Sequence, residues 1–223
     1  APVDDDYYVS LVLVDDAGHE WGLGSKDLVD IDKETYWDER GLERAVRIPT
    51  SQWPVHEVTI ETFELPVALA TPPGAYRVRL RLHPHDRWAG LPLFDGEGRA
   101  LGYDVELPGS VRVTLAEEEV DIGALRLAQR LDHPIAPGLV LVGHDLPRIT
   151  ARPGDRIHFS VYWRPTAALG QGAEVLFDLA SDDRSVGGLR SPLLGGRAIP
   201  ADWGPGEILR GQYALMVATD APT

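Results

Sequence analysis

The chain has 223 residues, 43% hydrophobic and 25% charged, with Lys+Arg 21 against Asp+Glu 35 and a net charge of −14. That balance excludes wholesale disorder and a collagen-like chain, and it makes a nucleic-acid backbone or an anionic lipid surface a repelled partner. With Cys 0 there is no disulfide, thiolate metal site or cysteine nucleophile, and no run approaches the roughly 18 apolar residues of a membrane helix.

Gly 23 and Pro 18 make up about 18% of the chain against roughly 12% in ordinary proteins, which points to many turns between short strands. The opening Ala1-Pro2-Val3-Asp4-Asp5-Asp6 resembles neither a signal peptide nor a natural start, so a processed or excised piece is expected. A first strand is predicted at 9–14. The best helical stretch is Lys33 to Arg47, where Leu42 and Val46 stand four apart, although Gly41 weakens it. Strands follow at 57–67 and at 76–82, where Tyr76, Val78, Leu80 and Leu82 alternate with Arg77, Arg79 and Arg81. Further strands are expected at 103–107 and 111–115. The stretch from Ala116 to Pro137 reads as a linker, marked by Glu117-Glu118-Glu119, Pro134 and Pro137. After a strand at 138–142, Arg152-Pro153-Gly154-Asp155 predicts a type II turn, because Pro presets φ and Gly accepts a positive one; Pro73-Gly74 reads as a turn of the same kind. Ile157, Phe159, Val161 and Trp163 then alternate with His158, Ser160 and Tyr162 as a half-buried strand. Strands at 174–180 and 207–217 complete the pattern, with Gly187-Gly188 and Gly195-Gly196 assigned to turns. Many short strands at 8 to 12 residue spacing predict an all-β chain of antiparallel sandwich modules, immunoglobulin-like or jelly-roll-like.

The chain also matches itself. Residues 53–73 lie over 203–223 without a gap, pairing Trp53 with Trp203, Glu57 with Glu207, Phe63 with Tyr213 and Pro72 with Pro222. Val9, Leu11 and Leu13 fall on Val175, Phe177 and Leu179 at a different offset, so the first copy holds about sixteen more residues between the two blocks. Two related modules are therefore expected, over 1–125 and 126–223, cut out of phase with the repeat. Each module would be incomplete, its strand edges covered by neighbouring segments, by the other copy or by another molecule.

Several motifs then carry a family resemblance. Tyr162-Trp163, Pro153-Gly154-Asp155, Trp203-Gly204-Pro205-Gly206-Glu207 and Pro72-Pro73-Gly74-Ala75-Tyr76 resemble β-sandwich accessory modules of bacterial surface proteins. Such modules follow the membrane part of lipid-linked-sugar, mannosyltransferase-like glycosyltransferases. The resemblance covers about 150 residues as two partial modules and departs from the pattern at Trp53-Pro54-Val55-His56-Glu57. It implies an extracytoplasmic accessory domain without sugar-transfer chemistry of its own.

Three constellations are candidates for a site. Trp53, Trp203 and Trp163 read as core tryptophans, whereas Trp21, Trp37 and Trp88 are better placed to be exposed platforms for a sugar ring. Trp88 leads, because Asp86 and Arg87 beside it would serve carbohydrate hydroxyls; loop packing is the competing reading. His83 and His85 point the same way from a strand and, with Asp95 or His56, suit a metal, or else are solvated strand-end histidines. Asp95-Gly96-Glu97-Gly98 and Asp4-Asp5-Asp6 are oxygen-rich enough for calcium, while Asp-Gly reads equally as a hairpin turn. No nucleophile elbow or phosphate loop occurs, Ser160 lies mid-strand, and with 35 acids a glycosidase pair carries no signal. The sequence thus predicts a non-enzymatic, extracytoplasmic interaction or spacer region with no cofactor, meeting other chains or itself through strand edges. It inserts in no membrane and binds no nucleic acid; glycan binding through Trp88 is the alternative, and an enzyme with dispersed acids a third.

Overall fold

The computed structural model describes residues 5–37, 39–40, 43–54, 58, 60–84, 90–181 and 184–222, over 29–37 and 43–47 by the backbone. The protein is all-β and antiparallel, of the β-sandwich type. The chain divides into two units, Ala1–Val67 with Tyr76–Val111, and Ala68–Ala75 with Arg112–Thr223. No helix among the described residues is long and apolar enough to cross a membrane.

The first unit contains β1 (Tyr7–Val14), β2 (Glu20–Asp27), β3 (Val29–Trp37), β4 (Glu43–Pro49), β5 (Gly74–Pro84), β6 (Leu93–Phe94), β7 (Ala100–Gly102) and β8 (Val105–Glu106). Its main sheet runs β2-β1-β5-β8, with Leu11 opposite Leu80 and Leu13 opposite Val78. Val9, Leu11, Leu13, Trp21 and Tyr76 are its buried core, the two aromatic rings meeting edge-on at 6.0 Å. The expected helix over Lys33–Arg47 is instead a hairpin, β3 pairing with β4 from Val29↔Pro49 to Trp37↔Glu43. Two apolar residues at helical spacing are outweighed by Thr35, Tyr36, Trp37, Val46 and Ile48, whose branched or aromatic side chains favour a strand.

The expected strand at 57–67 is also corrected, since residues 60–67 join no ladder. Pro66 has no N–H to donate, and the segment instead lies over β2, where glycine is required twice. A Cβ at Gly22 would run into the Pro66 carbonyl oxygen, and one at Gly24 into that of Glu64. Lys26 anchors the cover by pairing with Glu61, donating to the Thr62 carbonyl at 3.3 Å and standing 5.5 Å from the Phe63 ring centre. The aligned block 203–223 behaves differently, because its residues Leu209–Met216 form a fully paired strand. Trp53 and Trp203 each donate their backbone N–H three residues back, to Thr50 and Pro200. Their indoles part company, reaching Ile48 O at 3.1 Å and Glu207 O at 3.0 Å.

After β9 (Val111–Val113), the second unit adds β10 (Gln129–Ala136), β11 (Leu139–His144), β12 (Arg156–Pro165), β13 (Glu174–Ser181), β14 (Arg184–Pro192) and β15 (Leu209–Met216). The sheet β10-β11-β12-β15 is one layer and the hairpin β13-β14 the other. The expected linker at 116–137 therefore holds a strand, and Leu125 within it is buried. Gly187-Gly188 belongs to β14 and not to a turn: a Cβ at Gly187 would stand 2.6 Å from Met216 O, so the bare backbone lets β14 close on the end of β15. The type II turn at Arg152-Pro153-Gly154-Asp155 forms as read, with Gly154 at φ 86° and Asp155 N donating to Arg152 O at 3.0 Å. Gly74, by contrast, opens β5 at φ 150°, and the Arg197 guanidinium occupies the space a Cβ would need.

Strand β12 is buried on both faces, contrary to the half-buried reading. Val161 and Trp163 enter a core with Leu139, Leu193, Leu194, Trp203, Leu209 and Tyr213, against which Phe159, Val175, Phe177 and Leu189 of the two layers pack. Tyr162 enters a second core with Ala70, Leu125, Val142 and Ile208, and Ser160 is only 6% exposed. The first core is tied by one polar chain. Trp163 Nε1 donates to Tyr213 Oη at 3.0 Å, and that hydroxyl donates to Leu193 O. The hydroxyl lies across Gly211, where any side chain would collide with it. Tyr213→Phe leaves an indole N–H and a carbonyl buried without their partner, and is expected to cost about 1–3 kcal/mol in urea unfolding. Gly211→Ala should lower stability through the same contact, and an unchanged midpoint in both variants would refute it.

Candidate functional site

The predicted site residues are scattered. Residues 85–89, and with them His85, Asp86, Arg87 and Trp88, lie outside the described residues, as does His56. His83 is not a solvated strand-end histidine. It is 3% exposed, and its ring stacks on Tyr8 at 4.6 Å, the two residues facing each other across β1 and β5. Asp95 sits in the turn between β6 and β7, where Oδ1 accepts the N–H groups of Glu97 and Arg99 at 2.9 Å and Oδ2 accepts Arg99 Nε at 2.9 Å. Its carboxyl is held below the usual range, chiefly by the Arg99 N–H. A cation there would have to displace those donors, and no cluster of three His, Asp or Glu suited to a metal occurs among the described residues. Asp5 and Asp6 are likewise engaged: Asp6 N donates to Asp5 Oδ1 at 2.8 Å, and Ser51 donates twice to Asp6 Oδ1.

The tryptophans are redistributed too. Trp21, expected to be exposed, is wholly buried, while Trp163 and Trp203 are buried as read and Trp53 is half-buried. Trp21 belongs to a polar cluster that sequence reasoning missed. Asp15 Oδ2 accepts Trp21 Nε1 at 2.9 Å and lies 3.2 Å from His19 Nδ1, while Oδ1 accepts the N–H groups of Ala17 and His19 at 2.9 Å. Gly18 completes the turn at φ 84°. The turn at Asp95 repeats this arrangement, with Gly98 at φ 81°. The spacing Asp-x-x-Gly, present at Asp15 and again at Asp95, was the legible signal.

Burial by itself would raise the Asp15 carboxyl pKa. The hydrogen bonds from the His19 and Trp21 side chains and from His19 N–H outweigh it and bring the group down to about 2 from 3.8. A carboxylate so fully donated to is a turn anchor, without a lone pair to spare for general-base work. Its contribution to stability is complete above the unfolded pKa and fades as pH falls from about 4 through 2. Denaturant unfolding of wild type and Asp15→Asn should therefore differ by on the order of 2 kcal/mol above pH 4 and converge near pH 2. A difference independent of pH would sink this account.

The second unit contains a different feature, a half-open cleft of about 260 Å³ between its layers. Ile157, Phe159, Val161 and Trp163 of β12 and Leu215 of β15 form one wall, and Phe177 and Leu179 of β13 the other. Phe159 and Phe177 of these walls pack with Tyr213 as a cluster, with centroids 4.6 to 5.6 Å apart. Leu141, Leu146, His144 and Asp178 complete the lining, so the walls are apolar except at two residues. His144 Nδ1 is buried and makes no hydrogen bond among the described residues. A more polar hollow of about 340 Å³ lies beside Glu119, Arg164 and Gly206, but Arg164 is drawn toward Asp132 at 3.4 Å. The Trp203-Gly204-Pro205-Gly206-Glu207 loop is a closed turn: Gly204 N donates to Glu207 Oε2 at 2.9 Å, and Gly206 stands at φ 97°. Chemically, the cleft can accept an uncharged apolar group.

No family model, no curated protein and no solved structure matches this chain.

Proposed function

We propose that the chain is a non-catalytic interaction and spacing element of a larger surface or membrane-attached protein, working outside the cytoplasm and meeting other protein chains through a strand edge. The observation that carries this reading is a contrast between two edges of the second unit. Unpaired N–H and C=O groups on an edge strand are a template for another chain, so proteins blunt the edges they do not use. The outer edge of β10 is blunted: Pro134 lies in it, its register slips twice, and Asp132 stands at φ 48°. β13 has no proline and keeps an unbroken register with β14 from Glu174 to Leu179. Among the described residues no strand pairs with it on the other side. Leu176, 74% exposed, stands in the middle of this edge strand. The extracytoplasmic placement draws its support from the motifs shared with accessory modules, which in this protein form turns and core.

Mutual repulsion between molecules of net charge −14 masks edge pairing at low salt. Near 1 M salt, where the screening length falls to roughly 3 Å, sedimentation velocity should show association that grows with protein concentration. Leu176→Lys places a charge in the ladder and should weaken it by about fivefold or more while leaving the unfolding midpoint unchanged. Failure both to associate at high salt and to bind an added strand-forming peptide would refute the edge reading.

A further inference from the structure

The geometry points to an occupant for that edge: an extended peptide segment, basic and apolar at alternate positions, that adds as a strand to β13 and seats one apolar side chain in the cleft. The inference rests on the interaction reading above and specifies its partner. The lining of the cleft locates its mouth. Three consecutive residues of β13 line it, inward-facing Phe177 and Leu179 and outward-facing Asp178, whereas no residue of β14 does. A cavity lined by consecutive residues of β13 and by none of its one paired neighbour opens at the edge away from β14. A strand added there lies about 4.8 Å from β13, and every second side chain points between the layers. A cavity of roughly 150 Å³ already holds a benzene ring, so this cleft of about 260 Å³ has room for a phenylalanine or leucine side chain.

Charge decides between a second copy and a different partner. Pairing two copies would bring together two molecules of net charge −14, each with Asp178 on the outward face of β13, where Glu174 is already paired with Arg190. A segment with Lys or Arg at its outward positions meets the opposite field and is drawn in by it. Backbone pairing then provides the hold, and the cleft selects the inward side chain.

The test uses the full chain and fluorescein-labelled heptapeptides in anisotropy titrations at low salt. Lys-Val-Lys-Phe-Lys-Val-Lys should bind, and replacing its central Phe with Ala should weaken binding roughly tenfold or more, as expected for burying a ring. Lys-Lys-Val-Phe-Val-Lys-Lys, of the same composition without the alternation, should bind about tenfold less tightly than the first. In the protein, Leu146→Trp enlarges a side chain that lines the cleft and should reduce the Phe peptide to the level of the Ala peptide. Leu176→Lys should weaken both. Near-ultraviolet circular dichroism verifies that each variant is folded, and if Leu146→Trp is not, Leu146→Ala should favour a Trp-centred peptide over the Phe-centred one.

Each other outcome has a definite reading. Binding that ignores the central residue and Leu146→Trp, yet falls with Leu176→Lys, overturns the cleft seat and leaves the edge interaction standing. Equal binding of the two Phe peptides, unaffected by Leu176→Lys, is charge adhesion and overturns both. Free indole binding as tightly as the Phe peptide would make the cleft a small-molecule pocket and overturn the peptide partner. Pairing of copies that outcompetes the peptides would overturn the choice of occupant.

Discussion

Burial of β12 on both faces is the constraint around which the second unit is organised. A strand with apolar residues at 157, 159, 161 and 163 needs one cover, and the hairpin β13-β14 supplies it. Ser160 and Tyr162 between them are buried as well, which demands another cover on the opposite side. Residues 68–75 and the stretch around Leu125 meet that demand, with Ala70 O accepting Arg210 N at 2.7 Å at the start of β15. Ala70 adopts a φ of 61°, a conformation that costs a non-glycine residue about 1 kcal/mol, and the buried setting holds it there.

Once both faces are filled, polar groups inside have to be satisfied internally. The Trp163–Tyr213–Leu193 chain does this for the larger core and joins β12, β15 and the segment after β14 through one hydroxyl. It exists because Gly211 leaves the hydroxyl a place to lie. Gly22, Gly24 and Gly187 work by the same principle, each opening room for a backbone carbonyl from a neighbouring segment. Several glycines in this protein thus mark close approach inside strands and not punctuation between them.

The same layering explains where recognition would occur. A cleft with apolar walls opens beside β13, and the adjoining strand has no proline and keeps its register from Glu174 to Leu179, unlike β10. A net negative charge and an apolar cleft separate two tasks, because long-range charge sorts approaching molecules by sign and short-range packing sorts them by shape.

Period-two alternation by itself determined the fold class and most of the strands, including β1, β5, β12, β13 and β15, because each carries one continuous apolar row. Pro153-Gly154 determined its turn, since both residues fix φ locally. The tertiary structure alone decided which glycines lie in strands, because a close backbone approach leaves no trace in a residue's own neighbourhood. It alone decided that His83 and Trp21 are buried, that 60–67 is a cover, and that 33–47 forms a hairpin, where strand-forming residues outweighed a two-residue helical spacing. The cleft was illegible for the same reason: its walls, 157–163 and 175–179, were visible as apolar rows, but the gap between them depends on how two layers separated in sequence come to rest.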